Sequence, residues 1–227
     1  MKLAMHTFLT LDGVMQGPGG VDEDPGNGFR HGGWMVPHAD DDQVRITSTW
    51  FGQADEILLG RSTYDMMRGY WSRVTDPGNP IATALNTLPK HVVSTTLTAP
   101  TWPNTNVISS DVLAAVSALK DTPGRELQVH GSCQLARTLH DAGLVDEYRL
   151  LVFPIVLGSG KRLFADGAST SAYTLVDSET TRAGAVYQVL RPTSFGVGGF
   201  SVEDGKLAIR QPRPGWEARA LVDPPAG

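Results

Sequence analysis

The segment from residue 127 to residue 164 restricts the possible folds of this chain more than any other feature. Residues 127–130 have the composition of a short buried strand, Gly131 permits a tight turn, and Ser132 is placed to cap a helix. That helix would end at Gly143, and a long apolar strand follows it. The segment therefore predicts a βαβ unit built around a glycine turn.

The rest of the chain continues this alternation of strands and helices. An alternation of this kind predicts an α/β fold, with helices on both faces of a mostly parallel central sheet and an antiparallel C-terminal hairpin that closes the sheet. The further strands are predicted at residues 2–11, 56–60, 91–94 and 106–109, and the closing hairpin at residues 173–178 and 185–190.

The chain of 227 residues is long enough for one substantial core. Residues 1–192 are predicted to form one domain. Residues 193–227 are rich in glycine and proline and do not resemble core sequence, although residues 200–202 and 207–210 could pair as a small hairpin. The sequence does not indicate a function for this C-terminal extension.

The composition argues against several functional classes. A formal net charge of −5 argues against a general nucleic-acid-binding protein, and no run of about 18 apolar residues is available to span a membrane. The first 13 residues lack the pattern of a secretory signal. Cys133 is the only cysteine, so no internal disulfide can form, which suits a cytoplasmic location. The six histidines show no metal-binding spacing, and no metal site is assigned.

Two strand-to-helix turns have the chemistry of a phosphate site. Residues 59–63 and 129–133 each carry a glycine before a helix start, whose free N–H groups and dipole favour anions. Both turns would lie at the same end of a parallel sheet, where open α/β sheets bind ligands. Neither turn matches the GxGxxG fingerprint or a Walker loop, so plain strand-to-helix geometry is the alternative interpretation.

Arg61 strengthens the phosphate interpretation. Its planar guanidinium stands beside Ser62 and Thr63, near a third strand end at residues 94–96. A pocket of this kind would accept an extra 2′-phosphate and so select NADP over NAD. The alternatives are a surface arginine at a helix cap and ordinary strand-end solvation by Ser94 and its neighbours.

With these positions in place, the chain resembles the dihydrofolate reductase-like fold and, within it, the reductase domain of the bifunctional riboflavin-biosynthesis deaminase-reductase. The resemblance covers roughly residues 1–192. The segments that carry it, in order, are TLDG at 10–13, LLGRSTY at 58–64, the strand at 90–94, Gly131 and Ser132 with Leu135, GLVDE at 143–147, and PIVLGSG at 154–160 with Leu163 and Phe164.

The resemblance implies NADPH as the cofactor and assigns the residues that would bind it. One group would hold the cofactor phosphates, a second the adenosine ribose-phosphate, and a third the pyrophosphate and nicotinamide ribose. In that order, the groups are Gly60, Arg61, Ser62 and Thr63; Ser94 and Thr95; and Gly131, Ser132, Cys133, Gln134 and Leu135.

The resemblance also implies a substrate chamber under a mobile loop. The loop at residues 12–34 is similar in position to the one that folds over the nicotinamide, and the residues that would face the substrate are Asp12, Trp34, Phe153 and Pro154. Folate enzymes use a buried carboxylate early in the first long helix. Here that helix opens with three aspartates, and Asp41 together with Asp12 is the catalytic candidate. Proton delivery is expected from Asp12, from an acid among residues 40–42, or from water.

These features predict an NADPH-dependent reductase that transfers a hydride to a C=N or C=O bond of a small, heterocyclic substrate. The alternatives are the riboflavin-pathway reductase acting on 5-amino-6-(5-phosphoribosylamino)uracil and a non-catalytic NADP-binding module. A homodimer is expected on family grounds. Its interface is assigned to the apolar residues 150–157 together with Phe195, Phe200 and Trp216.

Overall fold

A computed structural model of the protein describes residues 1–210. Among these residues, eight strands form one sheet, two strands form a separate hairpin, and five α-helices connect them. The strands are β1 (Lys2–Thr10), β2 (Ala54–Gly60), β3 (Lys90–Val93), β4 (Thr105–Ile108), β5 (Glu126–His130), β6 (Glu147–Phe153), β7 (Ala172–Thr180), β8 (Val186–Thr193), β9 (Gly199–Glu203) and β10 (Lys206–Arg210). The helices are α1 (Asp41–Gln53), α2 (Arg61–Trp71), α3 (Pro80–Thr87), α4 (Val112–Lys120) and α5 (Cys133–Asp141).

The main sheet has the strand order β4-β3-β2-β5-β1-β6-β8-β7. Strands β1 to β6 run parallel, whereas β8 is antiparallel to β6 and β7 is antiparallel to β8. The register sets His6 of β1 beside His130 of β5 and Thr10 of β1 beside Phe153 of β6. The parallel strands therefore end at one common edge of the sheet.

Helices cover both faces of this sheet because successive strand residues point to opposite sides. Leu3 and Met5 of β1 belong to a hydrophobic cluster with Val116 of α4 and Leu139 of α5. On the other face, Trp50 of α1 stacks against side chains of β1. The arrangement is the predicted α/β three-layer fold with a closing antiparallel hairpin, which confirms the fold expected from the sequence.

Helix α1 buries Gln43, Ile46, Thr47, Trp50 and Phe51, whereas Val44 is exposed. The apolar segment 150–157, assigned to a dimer interface from the sequence, has two parts. Its residues 150–153 lie in β6, hydrogen-bonded on both sides in the middle of the sheet, whereas Val156 lies beyond the strand and is exposed. The dimer stays a prediction.

The hairpin predicted in the C-terminal extension is present as β9 and β10, which pair only with each other among the described strands. Trp216 lies outside the described residues. The boundary drawn at residue 192 stays a prediction. No helix within residues 1–210 is long and apolar enough to cross a membrane.

Candidate functional site

The carboxyl edge of the parallel strands brings most of the predicted site residues together. Strands β2, β5 and β1 are neighbours in the sheet, and each ends in a turn that the sequence singled out. Strand β3 lies on the far side of β2, so the turn after β3 neighbours the start of α2. The two glycine turns and the Ser94 turn thus share one edge, as the sequence predicted.

The two glycine turns interlock. The Gly60 N–H donates a hydrogen bond of 2.8 Å to the Ser132 hydroxyl oxygen. A Cβ atom at Gly60 would lie 3.2 Å from the Cβ of Ser132, so the close approach depends on glycine. In the other direction, Gly131 has a φ of +58°, and a Cβ atom at this position would lie 3.5 Å from the Thr63 methyl group. Each turn therefore fixes the position of the other.

Ser132 does not cap α5 with its side chain, in contrast to the prediction. Its backbone is left-handed, with a φ of +59°, and its hydroxyl accepts from Gly60 while it donates to the His130 carbonyl. The first N–H groups of α5 therefore receive no bond from this side chain. Because the first turn of a helix has no internal acceptors, these donors are available to an anion.

The start of α2 offers a second set of donors. The hydroxyl groups of Ser62 and Thr63 make no hydrogen bond within residues 1–210. Arg61 is half-buried, and its Nε donates to the Asp65 carboxylate one turn along the helix at 2.6 Å. This contact orients the guanidinium. Its two terminal nitrogens donate no hydrogen bond to any of residues 1–210.

The turn after β3 is organised by Ser94. Its buried hydroxyl oxygen accepts from the backbone N–H groups of Thr96 and Leu97 at 3.2 and 3.0 Å. The hydroxyl of Thr95 is exposed at the top of this turn and makes no hydrogen bond within residues 1–210. Ser94 is thus a structural residue of the turn, and Thr95 is the one that a ligand can reach.

Asp12 fastens the glycine-rich loop to the sheet edge. Its carboxylate accepts from the Thr10 hydroxyl at 2.6 Å and from the N–H groups of Leu157 and Gly158 at 3.2 and 2.9 Å. The Arg162 guanidinium contacts the same carboxylate at 3.3 Å. The Thr10 bond, followed by the backbone donors, lowers the pKa of Asp12 to about 2, even though partial burial acts in the opposite sense. An acid held ionised in this way is a poor proton donor near neutral pH.

We expect Asp12→Asn to loosen the loop and to leave the pH dependence of any reductase activity unchanged between pH 5 and 8. A carboxylate with a lowered pKa stabilises the fold above its unfolded pKa, near 4, and loses that contribution as the pH falls toward about 2. The measure is hydrogen exchange of residues 12–33 together with a pH–rate profile. A shifted rate profile would instead support proton transfer by Asp12.

None of the three aspartates at the start of α1 is buried. Asp40 caps the helix by accepting from the Gln43 N–H at 2.8 Å, which lowers its pKa. The Asp42 carboxylate binds Arg182 in the turn between β7 and β8, and the Arg182 N–H lowers the pKa of that acid too. The side chain of Asp41 is 96% exposed. The three acids therefore cap the helix start and pair with Arg182 at the surface, and the expectation of a buried catalytic acid at Asp41 is wrong.

Two of the predicted substrate residues, Trp34 and Phe153, are buried in contact with the loop. The Trp34 indole N–H donates to the Gln16 carbonyl at 2.8 Å, and its ring meets that of Phe153 edge-on at 5.7 Å. Phe153 is completely buried, whereas Pro154 is exposed just beyond the strand. The loop residues 12–34 therefore lie against the end of β6, and their assignment to a substrate chamber stays a prediction.

Cys133 and the basic pair Lys161–Arg162 have structural contacts. The Cys133 thiol donates to the Arg162 carbonyl at 3.2 Å, and burial raises the pKa of this thiol. Lys161 pairs with Asp24 in the glycine-rich loop at 2.6 Å, and Arg162 pairs with Asp12 at 3.3 Å. Both basic side chains therefore hold the loop.

A buried polar network under α1 was missed by the sequence analysis. Arg149 of β6 donates to the Glu126 and Glu147 carboxylates, at 2.6 Å in each case, and contacts His6 at 3.2 Å. Lys2 and Arg191 also pair with Glu147. Burial opposes ionisation of Glu147, but hydrogen bonds from Lys2 and Arg149 outweigh it and lower its pKa to about 2.

The network continues toward the candidate site as a stack of rings. His6 stacks on His130 at 4.9 Å, and His130 stacks on Phe51 of α1 at 4.4 Å. Burial lowers the pKa of His130 to about 3, so the ring is neutral at physiological pH. Because His130 immediately precedes Gly131, the ring stack supports the base of the second glycine turn.

The strand order and the flanking helices are those of the dihydrofolate reductase-like fold. A model of the RibD C-terminal domain family matches residues 1–187. The chain therefore belongs to the RibD C-terminal domain family. It is 29% identical over 192 residues to the uncharacterized protein YyaP of Bacillus subtilis, a match that covers 82% of this chain and 92% of that protein.

Solved structures share the fold. A putative riboflavin biosynthesis protein from Shewanella sp. PV-4 superposes with a TM-score of 0.61 at 20% identity, covering 86% of this chain and all of that one. Dihydrofolate reductase from Enterococcus faecalis, complexed with NADP(H), gives a TM-score of 0.56 at 11% identity, covering 85% and 97% of the two chains. The family match supports a reductase of this family, and the solved structures show the shared fold.

Proposed function

We propose that this protein is an NADPH-dependent reductase that transfers a hydride to a C=N or C=O bond of a small heterocyclic substrate. The observation that carries the proposal is the interlocking of the Gly60 and Ser132 turns, which sets two helix starts side by side at the carboxyl edge of a parallel sheet. A pyrophosphate has two charged groups, and each helix start can receive one.

The residues at this edge fit the cofactor. The first turns of α2 and α5 would hold the pyrophosphate, with the Ser62 and Thr63 hydroxyls as additional donors. Arg61 and Thr95, on neighbouring turns, would take the 2′-phosphate. When bound, NADPH supplies the hydride, and the protein supplies orientation and exclusion of water.

We assign the proton to water rather than to the acids predicted for this role. The pKa of Asp12 is about 2, so this carboxyl is ionised at neutral pH. Asp41 is the first residue of α1, is 96% exposed and lies 3.5 Å from the Arg182 guanidinium, so it is not a buried acid. A solvent-borne proton requires only that water reach the reacting atom.

The cofactor assignment predicts a selective effect of Arg61→Ala. We expect the affinity for NADPH to fall roughly 10- to 100-fold, the value of a charge-assisted hydrogen bond, and that for NADH to change by less than about twofold. Fluorescence titration or calorimetry with both cofactors measures this.

The matched control is Arg68→Ala, which removes the same charge from α2 about 10 Å further along the helix. It should leave both affinities unchanged. Equal losses of NADPH and NADH binding in Arg61→Ala would refute the 2′-phosphate site. Incubation with NADPH and a panel of pterins and pyrimidines then separates an enzyme, which oxidises the cofactor, from a module that only binds it.

A further inference from the structure

A cleft of about 350 Å³ opens between α1 and the antiparallel strands of the main sheet, and we call it the α1 cleft. Its floor begins at Lys2 and Glu147, the first residues of β1 and β6, so it starts at the opposite end of the parallel strands from the glycine turns. None of the residues that line it is among the cofactor or substrate residues assigned above. Its volume lies within the range of small-molecule sites, roughly 300–1,000 Å³. The α1 cleft is therefore a candidate for a second binding site.

The walls of the α1 cleft follow from the periodicity of its elements. On α1, the lining residues form two rows with a spacing of four, positions 45, 49 and 53 in one row and positions 46 and 50 in the other. On β8 they alternate, at positions 187, 189 and 191. A β-bulge between Leu175 and Asp177 interrupts the alternation of β7, and Val176 and Asp177 both line the cleft although they are adjacent in sequence. Bulges that redirect a side chain are frequent next to functional sites.

One wall of the α1 cleft contains a buried hydrogen-bond donor that has no partner. Trp50 is only 2% exposed, and its indole N–H makes no hydrogen bond within residues 1–210. The ring packs against that of Tyr187, which also lines the cleft, with 5.9 Å between the centroids. Burial raises the pKa of the Tyr187 hydroxyl, and the Trp50 N–H acts in the opposite sense, so this N–H lies on the side of Tyr187. A buried donor without an acceptor is costly, and an acceptor atom of a bound molecule would remove that cost.

The charged side chains of the α1 cleft leave both donors and one acid available. Arg45 binds Glu179 through one terminal nitrogen, and Arg191 binds Glu147 through its Nε at 3.0 Å. The remaining guanidinium nitrogens of both arginines donate no hydrogen bond to any of residues 1–210. Of the acids that line the cleft, Asp177 alone forms no ion pair within that part of the chain. Its carboxylate accepts only from the neighbouring Ser178 N–H, at 2.8 Å.

We propose that the α1 cleft binds a small molecule that carries both a carboxylate and an ammonium group, such as an α-amino acid with an apolar side chain. The carboxylate would accept from the free guanidinium nitrogens and from the Trp50 N–H, and the ammonium group would donate to Asp177. The apolar part would lie against Ile46, Val176 and Val189.

The strand register supports a compact ligand with both charges close together. Asp177 pairs with Val189, so Arg191 is its diagonal neighbour on β8, about 7–8 Å away. Side chains that extend from these two positions reach two charged groups on one carbon atom. A ligand with negative charges only would meet the unpaired Asp177 carboxylate, which disfavours it.

Titration of the intact chain, without NADPH, tests the proposal with three probes of one carbon skeleton. L-leucine carries both charged groups, isocaproate lacks the ammonium group, and isoamylamine lacks the carboxylate. We expect L-leucine to shift the Trp50 indole N–H resonance in a saturable way, and Trp50→Phe identifies that resonance. The other two probes should bind about 10-fold more weakly or less, because each loses one charge-assisted interaction.

Two variants separate the two ends of the ligand. Asp177→Asn should weaken L-leucine about 10-fold and should not weaken isocaproate, whereas Arg191→Gln should weaken both and leave isoamylamine unchanged. The matched control is Asp121→Asn, because Asp121 is an exposed acid at the end of α4, on the other face of the sheet. It should leave the affinity for L-leucine unchanged. Circular dichroism verifies that each variant keeps its fold.

Three outcomes would overturn the proposal. The first is the absence of a saturable shift with L-leucine up to about 10 mM, a concentration that detects even weak binding. The second is equal affinity for L-leucine and isocaproate, which would show that the ammonium group has no partner in the cleft. The third is L-leucine binding that neither Asp177→Asn nor Arg191→Gln weakens, which would locate the ligand elsewhere. Because NADPH is left out, none of these results bears on the proposed reductase activity.

Discussion

Replacing Gly60 with valine is expected to weaken NADPH binding about 100-fold, because misplacing a binding group by about 1 Å has an effect of that size. The Cβ would lie 3.2 Å from Ser132 Cβ and 3.3 Å from its hydroxyl oxygen, and valine adds two methyl groups to that contact. The turn that begins α5 must then move away from the start of α2. Stability should fall by about 1–3 kcal/mol, the usual cost of overpacking. Calorimetric titration and urea unfolding measure the two effects.

Gly69→Val is the matched control, since Gly69 lies in α2, the helix that Gly60 precedes, and a Cβ there meets nothing within 4 Å. Cofactor affinity should stay within about twofold of the unmodified protein, and stability should not decrease, because glycine is the poorer helix former. Similar losses of affinity in both variants would contradict the idea that the two turns bind one ligand together.

The largest loss of stability is expected for Arg149→Met. The change leaves the buried carboxylates of Glu126 and Glu147 without their shared guanidinium, and breaking a buried ion pair from one side costs about 3–5 kcal/mol. Urea unfolding at neutral pH measures the difference. Arg191→Met removes a partner of Glu147 that is 56% exposed, and we expect that variant to lose no more than about 1 kcal/mol.

The pH dependence of unfolding provides a second readout for the same network. Glu147 has a pKa of about 2 in the folded protein, so it stabilises the fold above its unfolded pKa, near 4.5, and that contribution is lost as the pH falls toward 2. In Arg149→Met this acid-dependent part should shrink, because the carboxyl loses donors that keep its pKa low. An unchanged dependence of stability on acid pH would show that Lys2 and Arg191 hold Glu147 ionised without Arg149.

The sequence was sufficient for the fold and for the placement of the two glycine turns at one sheet edge, because both depend on local patterns. Short apolar runs with a following glycine mark β2 and β5, and the helix positions Leu135, Ala136 and Leu139 are buried as their spacing predicts. Parallel strands then bring the two turns to one edge. The role of each turn residue as a cofactor ligand stays a prediction.

What the sequence did not predict depends on contacts between distant segments. Asp41 could be a buried acid or a solvated one, and only the helix rotation, fixed by the packing of Ile46 and Trp50, decides between them. The Ser132 hydroxyl accepts a hydrogen bond from the Gly60 N–H, 72 residues away in sequence, instead of capping its own helix. Arg149 appeared to interrupt an apolar strand, because the carboxylate partner Glu126 comes from another strand.

Arg162 joins the loop to the second glycine turn. Its guanidinium binds Asp12, and its carbonyl oxygen accepts from the Cys133 thiol at 3.2 Å and from the Arg137 guanidinium at 2.7 Å, both on α5. A displacement of the loop therefore either carries the first turns of α5 with it or breaks these bonds. An anion that binds at this helix start and changes the strength of these bonds must change the position of the loop, and the loop must change the affinity for the anion to the same extent.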